Sequence, residues 1–283
     1  MPATAPRGLT VRLGQRIAAA RFPRRLGPLR SAAKKLAWTA CEARLVRTPF
    51  KYAYRELVRP QAGDYELRDS GVRFAIRHRT GDVDIFRKFY GYGYYEWPFE
   101  VTAKLRQLGR PINTLDLGAN IGFFEVHACE QLPIGRVVGF EPDPANGAVL
   151  ERVRAANGAS WEIVKACASN RGGWAIFRSN AHNFSRIDRD GDYAVPMVDV
   201  FPYVAQADLV KMNIEGSEWE ILQDPRLRST DAVWIVEYHR IRNPEPDITS
   251  LARTLFERSG FVTKGAVSHQ GNGLIWAWKD RAA

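Results

Sequence analysis

The sequence predicts an α/β protein built on a mostly parallel sheet of seven strands, closed by an antiparallel terminal hairpin. Three observations predict it. From residue 113 onward, short apolar runs alternate with helix-length amphipathic ones, as in strands joined by crossover helices. The first run, NTLDL, passes straight into a glycine-bearing turn and a helix, GANIGFFEVHACEQL. The last two runs are joined through HQGNG, too short for a crossover helix, so they pair antiparallel. Strands are expected near 113–117, 136–141, 161–167, 207–213, 232–238, 261–267 and 273–279. Helices are expected near 121–131, 145–157, 217–223 and 248–259, with a partly β insertion at 172–204.

The 283 residues are 45% hydrophobic and 25% charged, enough to bury a substantial core. The net charge of +10 is uneven. Residues 1–60 hold 14 Lys and Arg against 2 Asp and Glu, a net of +12, while the rest holds 27 against 29. The basicity belongs to an N-terminal arm. Cys41, Cys129 and Cys167 lack C-x-x-C spacing, which argues against a disulfide scaffold or zinc site and suits a reducing cytosol. No run reaches the roughly 18 apolar residues of a membrane span, and the first residues lack a secretory core. The expected location is cytoplasmic, with peripheral attachment to the inner membrane surface as an option through the arm.

Three parts are expected: a basic arm at 1–60, a β and aromatic lead-in at 61–110, and the main domain at 111–283. Pro23 and Pro28 interrupt residues 1–30. From Ser31 to Val58 the pattern turns helical, with Leu36, Ala40, Ala43, Val46, Phe50 and Tyr54 recurring at three- or four-residue steps. Three readings stand for this arm: a tail plus a packed helix, a segment docking on anionic membrane, and a transit peptide. No nucleic-acid recognition motif is present. In the lead-in, GVRFAIRHR alternates like a short exposed strand. The cluster Phe89, Tyr90, Tyr92, Tyr94, Tyr95 and Trp97 reads either as core or as the wall of an acceptor pocket.

The glycine turn carries the chemistry. Its pattern is D-x-G-x-x-x-G, from Asp116 through Gly118 to Gly122. A dinucleotide fingerprint needs a second glycine two places after the first, and Asn120 stands there. Glu141 ends the second strand, 25 residues after Asp116, where nucleotide-binding α/β folds grip a ribose diol. S-adenosylmethionine needs one carboxylate-type group for its ammonium and another for its ribose. Asp116 and Glu141 are the two residues placed for those jobs.

The run DLVKMNIEGSEWEIL (Asp208–Leu222) resembles the D-x-x-K-x-D-x-E-G-x-E signature of FkbM-type S-adenosylmethionine-dependent methyltransferases. DLGANIGFF, FEPDP, ACAS, MVDV and VEYH fall in the order that family shows, so the resemblance covers about residues 85–240. It implies a Rossmann-like class I methyltransferase fold and O-methyl transfer to a sugar, glycolipid or natural-product acceptor. It also implies an adenine contact at Cys167 and Ala168. The sequence departs from the family at Asn213, where Asp is usual. An amide neither takes a proton as a carboxylate does nor binds hard cations as well.

A hydroxyl acceptor must be oriented and must lose a proton. Ligands in such sheets sit outside the carboxyl ends of the strands. Asn213 and Glu215 end the fourth strand, and Glu237 and His239 end the fifth. Glu215 and His239 are the candidate catalytic bases. Glu215 also reads as a helix N-terminal carboxylate, and His239 as a structural histidine. Glu218 reads as a first-turn helix charge. His182, Asn183, Ser185 and Arg186 read as acceptor contacts or a solvated turn, and Asp199 as part of a ligand wall. Glu215, Glu237 and His239 offer mixed ligands but no i, i+4 pair, so no metal is assigned. Two other functions stay open: N-methylation of a small amine, and a non-catalytic scaffold that binds S-adenosylmethionine, motivated by Asn213. The acceptor's identity and the oligomeric state are not legible.

Overall fold

The computed structural model describes residues 27–179, 186–241, 243, 245–267 and 272–280. They form two compact units, one running to Glu96 and including Ala155–Asn157, the other comprising Trp97–Arg154 and the chain from Gly158. Among the described residues no helix is long and apolar enough to cross a membrane.

The first unit contains helices α1 (Gly27–Ala43) and α2 (Pro49–Leu57), the antiparallel pair β1 (Ala62–Glu66) and β2 (Arg73–Arg77), and helix α3 (Gly81–Tyr90). The helical stretch expected from Ser31 to Val58 is broken between Ala43 and Pro49, where Val46 bridges to Leu67. Its buried face also differs from the apolar stripe in the sequence. Trp38, Cys41, Glu42, Tyr52 and Glu56 are buried, whereas Leu36, Phe50 and Tyr54 are exposed. The reason is polar pairing over long sequence distance. Glu42 is held by Arg87 and by the Tyr52 hydroxyl at 3.0 Å. Glu56 meets His78 Nδ1 at 3.0 Å, and His78 Nε2 meets the Tyr65 hydroxyl at 2.6 Å. Carboxylates with such partners can be buried, which hydropathy alone does not foresee. Nor is β2 exposed as expected: Phe74, Ala75 and Ile76 are buried, with Phe74 stacked on Phe86 of α3 at 5.0 Å. Phe89, Tyr90 and Tyr95 are buried too, Phe89 stacking on Tyr95 at 4.2 Å. These aromatics build the unit's core.

The second unit begins with helix α4 (Phe99–Arg106), for which the sequence pattern gave no expectation. Then follow β3 (Ile112–Leu117), α5 (Phe123–Gln131), β4 (Ile134–Phe140), α6 (Pro144–Ala156) and β5 (Glu162–Val164). The insertion holds β6 (Cys167–Ser169), β7 (Gly173–Arg178), β8 (Arg186–Ile187), β9 (Tyr193–Asp199) and α7 (Phe201–Val204). The chain continues through β10 (Leu209–Met212), α8 (Glu218–Leu222), β11 (Val233–Tyr238), α9 (Ile248–Arg258), β12 (Val262–Val267) and β13 (Gly273–Trp278).

The main sheet has seven strands in the order β12-β13-β11-β10-β3-β4-β5. Pairing is parallel from β5 through β11 and antiparallel at β13 with both of its neighbours. This is the expected α/β sheet with its terminal hairpin. The third and fourth strands are shorter than expected, the fourth being confined to Leu209–Met212. The third ends at Val164, and a tight turn (Ala166 N–H to Val164 O, 2.9 Å) sends Cys167–Ser169 into a separate four-stranded sheet, β6-β9-β7-β8. Strands β10 and β11 are buried along their whole length, as strands covered on both faces must be. Because β3 has β4 on one side and β10 on the other, the connections diverge at its C-terminal end. That divergence opens the ligand end of such folds.

Candidate active site

The glycine loop after β3 is fastened on three sides. Gly118 N–H and Ala119 N–H both donate to Phe140 O, at 3.0 and 2.8 Å, and Leu117 O accepts from Asn213 N–H at 2.9 Å. Gly118 has φ +88°, and a Cβ there would lie 2.0 Å from Asn213 O, so only glycine lets the two chains pass. Asn120 also takes a left-handed φ of +52°, and Gly122, at +90°, is the N-cap of α5.

Lys211 provides the third tie. Its Nζ donates to Gly118 O at 2.6 Å and lies 2.8 Å from Asp116 Oδ1. Asp116 is fully enclosed and Lys211 nearly so. Asp116 was expected to meet a cofactor ammonium directly. With its carboxylate turned inward to Lys211, it instead braces the loop. Glu125 of α5 is buried beside it. Burial, and then the Asp116 charge, push the Glu125 carboxyl far above its ordinary value.

Glu141, at the tip of β4, accepts from Asn120 N–H at 2.7 Å and from Asp143 N–H at 2.8 Å. Burial outweighs these bonds and pushes its carboxyl up to about 7. Gly118, Asn120, Gly122 and Glu141 thus form one assembly at the switch point. A carboxylate with unfilled acceptor capacity beside a left-handed loop and a helix N-terminus fits a ribose diol, so the donor set fits S-adenosylmethionine. Cys167 and Ala168 lie on β6 with both side chains packed: Cys167 with Phe177 and Val195, Ala168 in the main core. An adenine contact through those side chains does not agree with this packing. Asp199 is likewise occupied elsewhere, with Arg226 at 2.6 Å.

At the tips of β10 and β11 the polar groups form a chain. Asn213 Nδ2 donates to Glu237 Oε2 at 3.1 Å. Glu218 is fully buried and accepts from Ile214 N–H at 3.0 Å and Gly216 N–H at 2.8 Å. It, rather than Glu215, is the carboxylate that organises the backbone here. His239 Nδ1 meets Glu218 Oε1 at 3.0 Å, and its Nε2 lies 3.6 Å from Glu215 Oε1. The His239 carbonyl accepts from Trp219 Nε1 at 2.9 Å, locking α8 to the end of β11. Burial works to lower the His239 pKa, but the bond to Glu218 and the charges of Glu218, Glu215 and Glu237 override it and push it up to about 9. The ring is therefore an imidazolium at neutral pH and has no lone pair to act as a base. Seated between Glu218 and Glu215, His239, expected as a base, is placed to orient its neighbours as a cation.

Glu215 has φ +51°, strained for a non-glycine residue, and its side chain is 17% exposed. His182, Asn183 and Ser185 lie outside the described residues, and Arg186 pairs with Asp188 at 3.3 Å. Among the described residues, no group of three or more His, Cys, Asp or Glu has the arrangement to hold a metal ion. The sequence reading named Lys211 only as part of a motif and passed over Glu125. The available signal was a single charge in an otherwise apolar strand, LVKM, and in an apolar helix, FFEVHA.

His239 gains its proton affinity on folding. A pKa raised from 6.5 to about 9 adds stability that is fully present below 6.5 and disappears as pH rises through about 9. Urea denaturation of the parent should therefore show stability declining across that window. The decline should flatten in Glu218→Gln, whose His239 should titrate nearer 6.5 by NMR. Equal pH slopes in the two proteins would contradict the assignment.

The sequence matches the Methyltransferase FkbM domain family over residues 116–262, half of the chain. No curated protein matches it significantly. Among solved structures, an FkbM methyltransferase from Methylobacillus flagellatus is similar at 13% identity and TM-score 0.44, over 88% of this chain and 60% of that one. A precorrin-6y C5,15-methyltransferase from Geobacter metallireducens is similar at 17% identity and TM-score 0.39, over 64% of this chain and 86% of that one. A SAM-dependent methyltransferase from Agrobacterium tumefaciens gives 11% identity and TM-score 0.42, over 77% and 70%. The family match, running from Asp116 past the tips of β10 and β11, makes this chain a member of the FkbM methyltransferases and an S-adenosylmethionine-dependent enzyme.

Proposed function

We propose that the enzyme methylates a hydroxyl group of a sugar, glycolipid or natural-product acceptor, with Glu215 as the group that takes the hydroxyl proton. The observation that carries this reading is the state of Glu215. It is held in a left-handed conformation at the tip of β10 and is more exposed than Glu218 or Glu237. S-adenosylmethionine supplies an electrophilic methyl group. The chain's own task is to orient the acceptor and manage one proton.

Glu215 Oε1 lies 3.6 Å from His239 Nε2, and this carboxylate is the group that takes the hydroxyl proton. The imidazolium fixes the direction of Glu215, and Glu218 fixes the imidazolium. Asn213 has a positive job in this arrangement. A carboxylate in its place would sit at hydrogen-bond distance from Glu237, whereas the amide donates to it. Its presence therefore gives no reason to read the chain as an inactive scaffold.

A second reading, methylation of an amine, is favoured by charge. Three carboxylates, Glu215, Glu218 and Glu237, surround the single imidazolium of His239. The excess negative charge would attract an ammonium. Incubation with methyl-labelled S-adenosylmethionine and fractionated host extract, followed by mass spectrometry of the linkage, separates a methyl ether from an N-methyl product. In that assay Glu215→Gln should lower turnover by about 10²–10⁴-fold while calorimetry shows cofactor affinity within about twofold of the parent. Parent-like turnover would remove Glu215 from the chemistry.

Glu141 yields an independent prediction. Ribose hydroxyls need an ionised acceptor, so cofactor affinity should fall as pH drops through about 7. Calorimetry about one unit on either side of that value should show the change, with proton release on binding at the acid side. A flat profile would place the ribose elsewhere.

A further inference from the structure

Helix α2 presents its faces in reverse. Tyr52 and Glu56 are buried, while Phe50, Tyr54 and Val58 are 90%, 53% and 64% exposed. At about 100° per residue, positions 50, 54 and 58 line up as one stripe, and 52 and 56 lie across the helix from it. Leu36 on α1 is 55% exposed as well, and the neighbouring Lys35 reaches Glu56 at 3.6 Å. Two exposed aromatics and a valine in register, on a helix that already has a buried side, form an apolar surface with a direction.

The exposed charges between Arg44 and Arg59 have one sign. Arg44, Lys51 and Arg59 are exposed. The two acids of residues 27–60, Glu42 and Glu56, are both buried, matched by Arg87 and His78. Arg47 is exposed and paired with Glu66 at 2.7 Å. The stripe is convex, since it is the outer side of a helix. A cationic rim around a convex apolar ridge that includes a tyrosine is complementary to an anionic bilayer surface, where aromatic rings settle at the headgroup level.

We infer that α2 is an interfacial anchor for an anionic lipid bilayer. Phe50, Tyr54 and Val58 enter the boundary between headgroups and acyl chains, and Lys51 and Arg59 meet the lipid phosphates. The anchor belongs to the first unit and the strand tips to the second, and the proposal does not depend on which acceptor is methylated. The net +12 of residues 1–60 strengthens long-range attraction to the same surface. It is the apolar stripe that distinguishes insertion from mere electrostatic adsorption.

Flotation of the full chain with phosphatidylcholine vesicles, with and without phosphatidylglycerol, tests this. The parent should float with the anionic vesicles and stay behind with the neutral ones. The triple variant Phe50→Ser, Tyr54→Ser, Val58→Ser should lose at least about tenfold in partitioning while keeping its circular dichroism and cofactor affinity. Lys51→Glu with Arg59→Glu should lose binding too. Three results would overturn the proposal: no flotation of the parent, a triple variant that floats as well as the parent, or a parent dimer in sedimentation velocity that the triple variant dissolves. The second result would assign the binding to charge alone, and the third would assign the stripe to a second copy of the chain.

Discussion

A buried lysine between two acceptors holds this methyltransferase's cofactor end together. Lys211 stands opposite Asp116 on the adjacent parallel strand, so the register of β10 against β3 brings the two charges side by side. The ammonium then reaches past the strand to the Gly118 carbonyl at 2.6 Å. Neither charge would be tolerated alone at this depth, and removing one member of a buried pair costs about 3–5 kcal/mol. The same contact sets the loop's direction. With Gly118 O fixed below, its neighbouring N–H groups turn to Phe140, and Asn120 N–H is delivered to Glu141. Glu125, its carboxyl pushed upward by burial and by the Asp116 charge, lies buried beside the pair.

The tips of β10 and β11 follow a related logic one strand further along. Among the described residues no lysine or arginine pairs with buried Glu218, and two backbone N–H groups with the His239 imidazolium satisfy it. That places a positive ring next to Glu215, the more exposed carboxylate. Asn213 connects the two halves. Its backbone passes against Gly118 of the cofactor loop, and its side chain holds Glu237. A residue that looks like a loss when set against the family motif is, in this chain, the contact between loop and strand tips.

Much of the main sheet was legible because each central strand is a short apolar run bounded by polar turns. The family motifs marked the correct strand ends. What the sequence could not convey was direction. Asp116 and Glu141 look equivalent as acids at strand ends, yet one is turned inward to a lysine that lies 95 residues later, and the other sits at the tip. His239 reads as a base until Glu218 and Glu215 are seen on either side of it. The N-terminal helices were misjudged for a similar reason. Glu42 is buried because Arg87, 45 residues away, meets it, and no local pattern carries that information. The third strand was drawn too long because its apolar character continues through Ala166 into a strand of another sheet.

The central claim is that the Lys211 ammonium, through Gly118 O, sets the loop that receives the cofactor. Isothermal titration of S-adenosylmethionine into the double variant Asp116→Asn, Lys211→Met tests it most directly, because removing both charges avoids stranding either one in the core. The account predicts a protein that melts cooperatively near the parent temperature and binds the cofactor at least about tenfold more weakly. Parent-like affinity in that folded variant would contradict it.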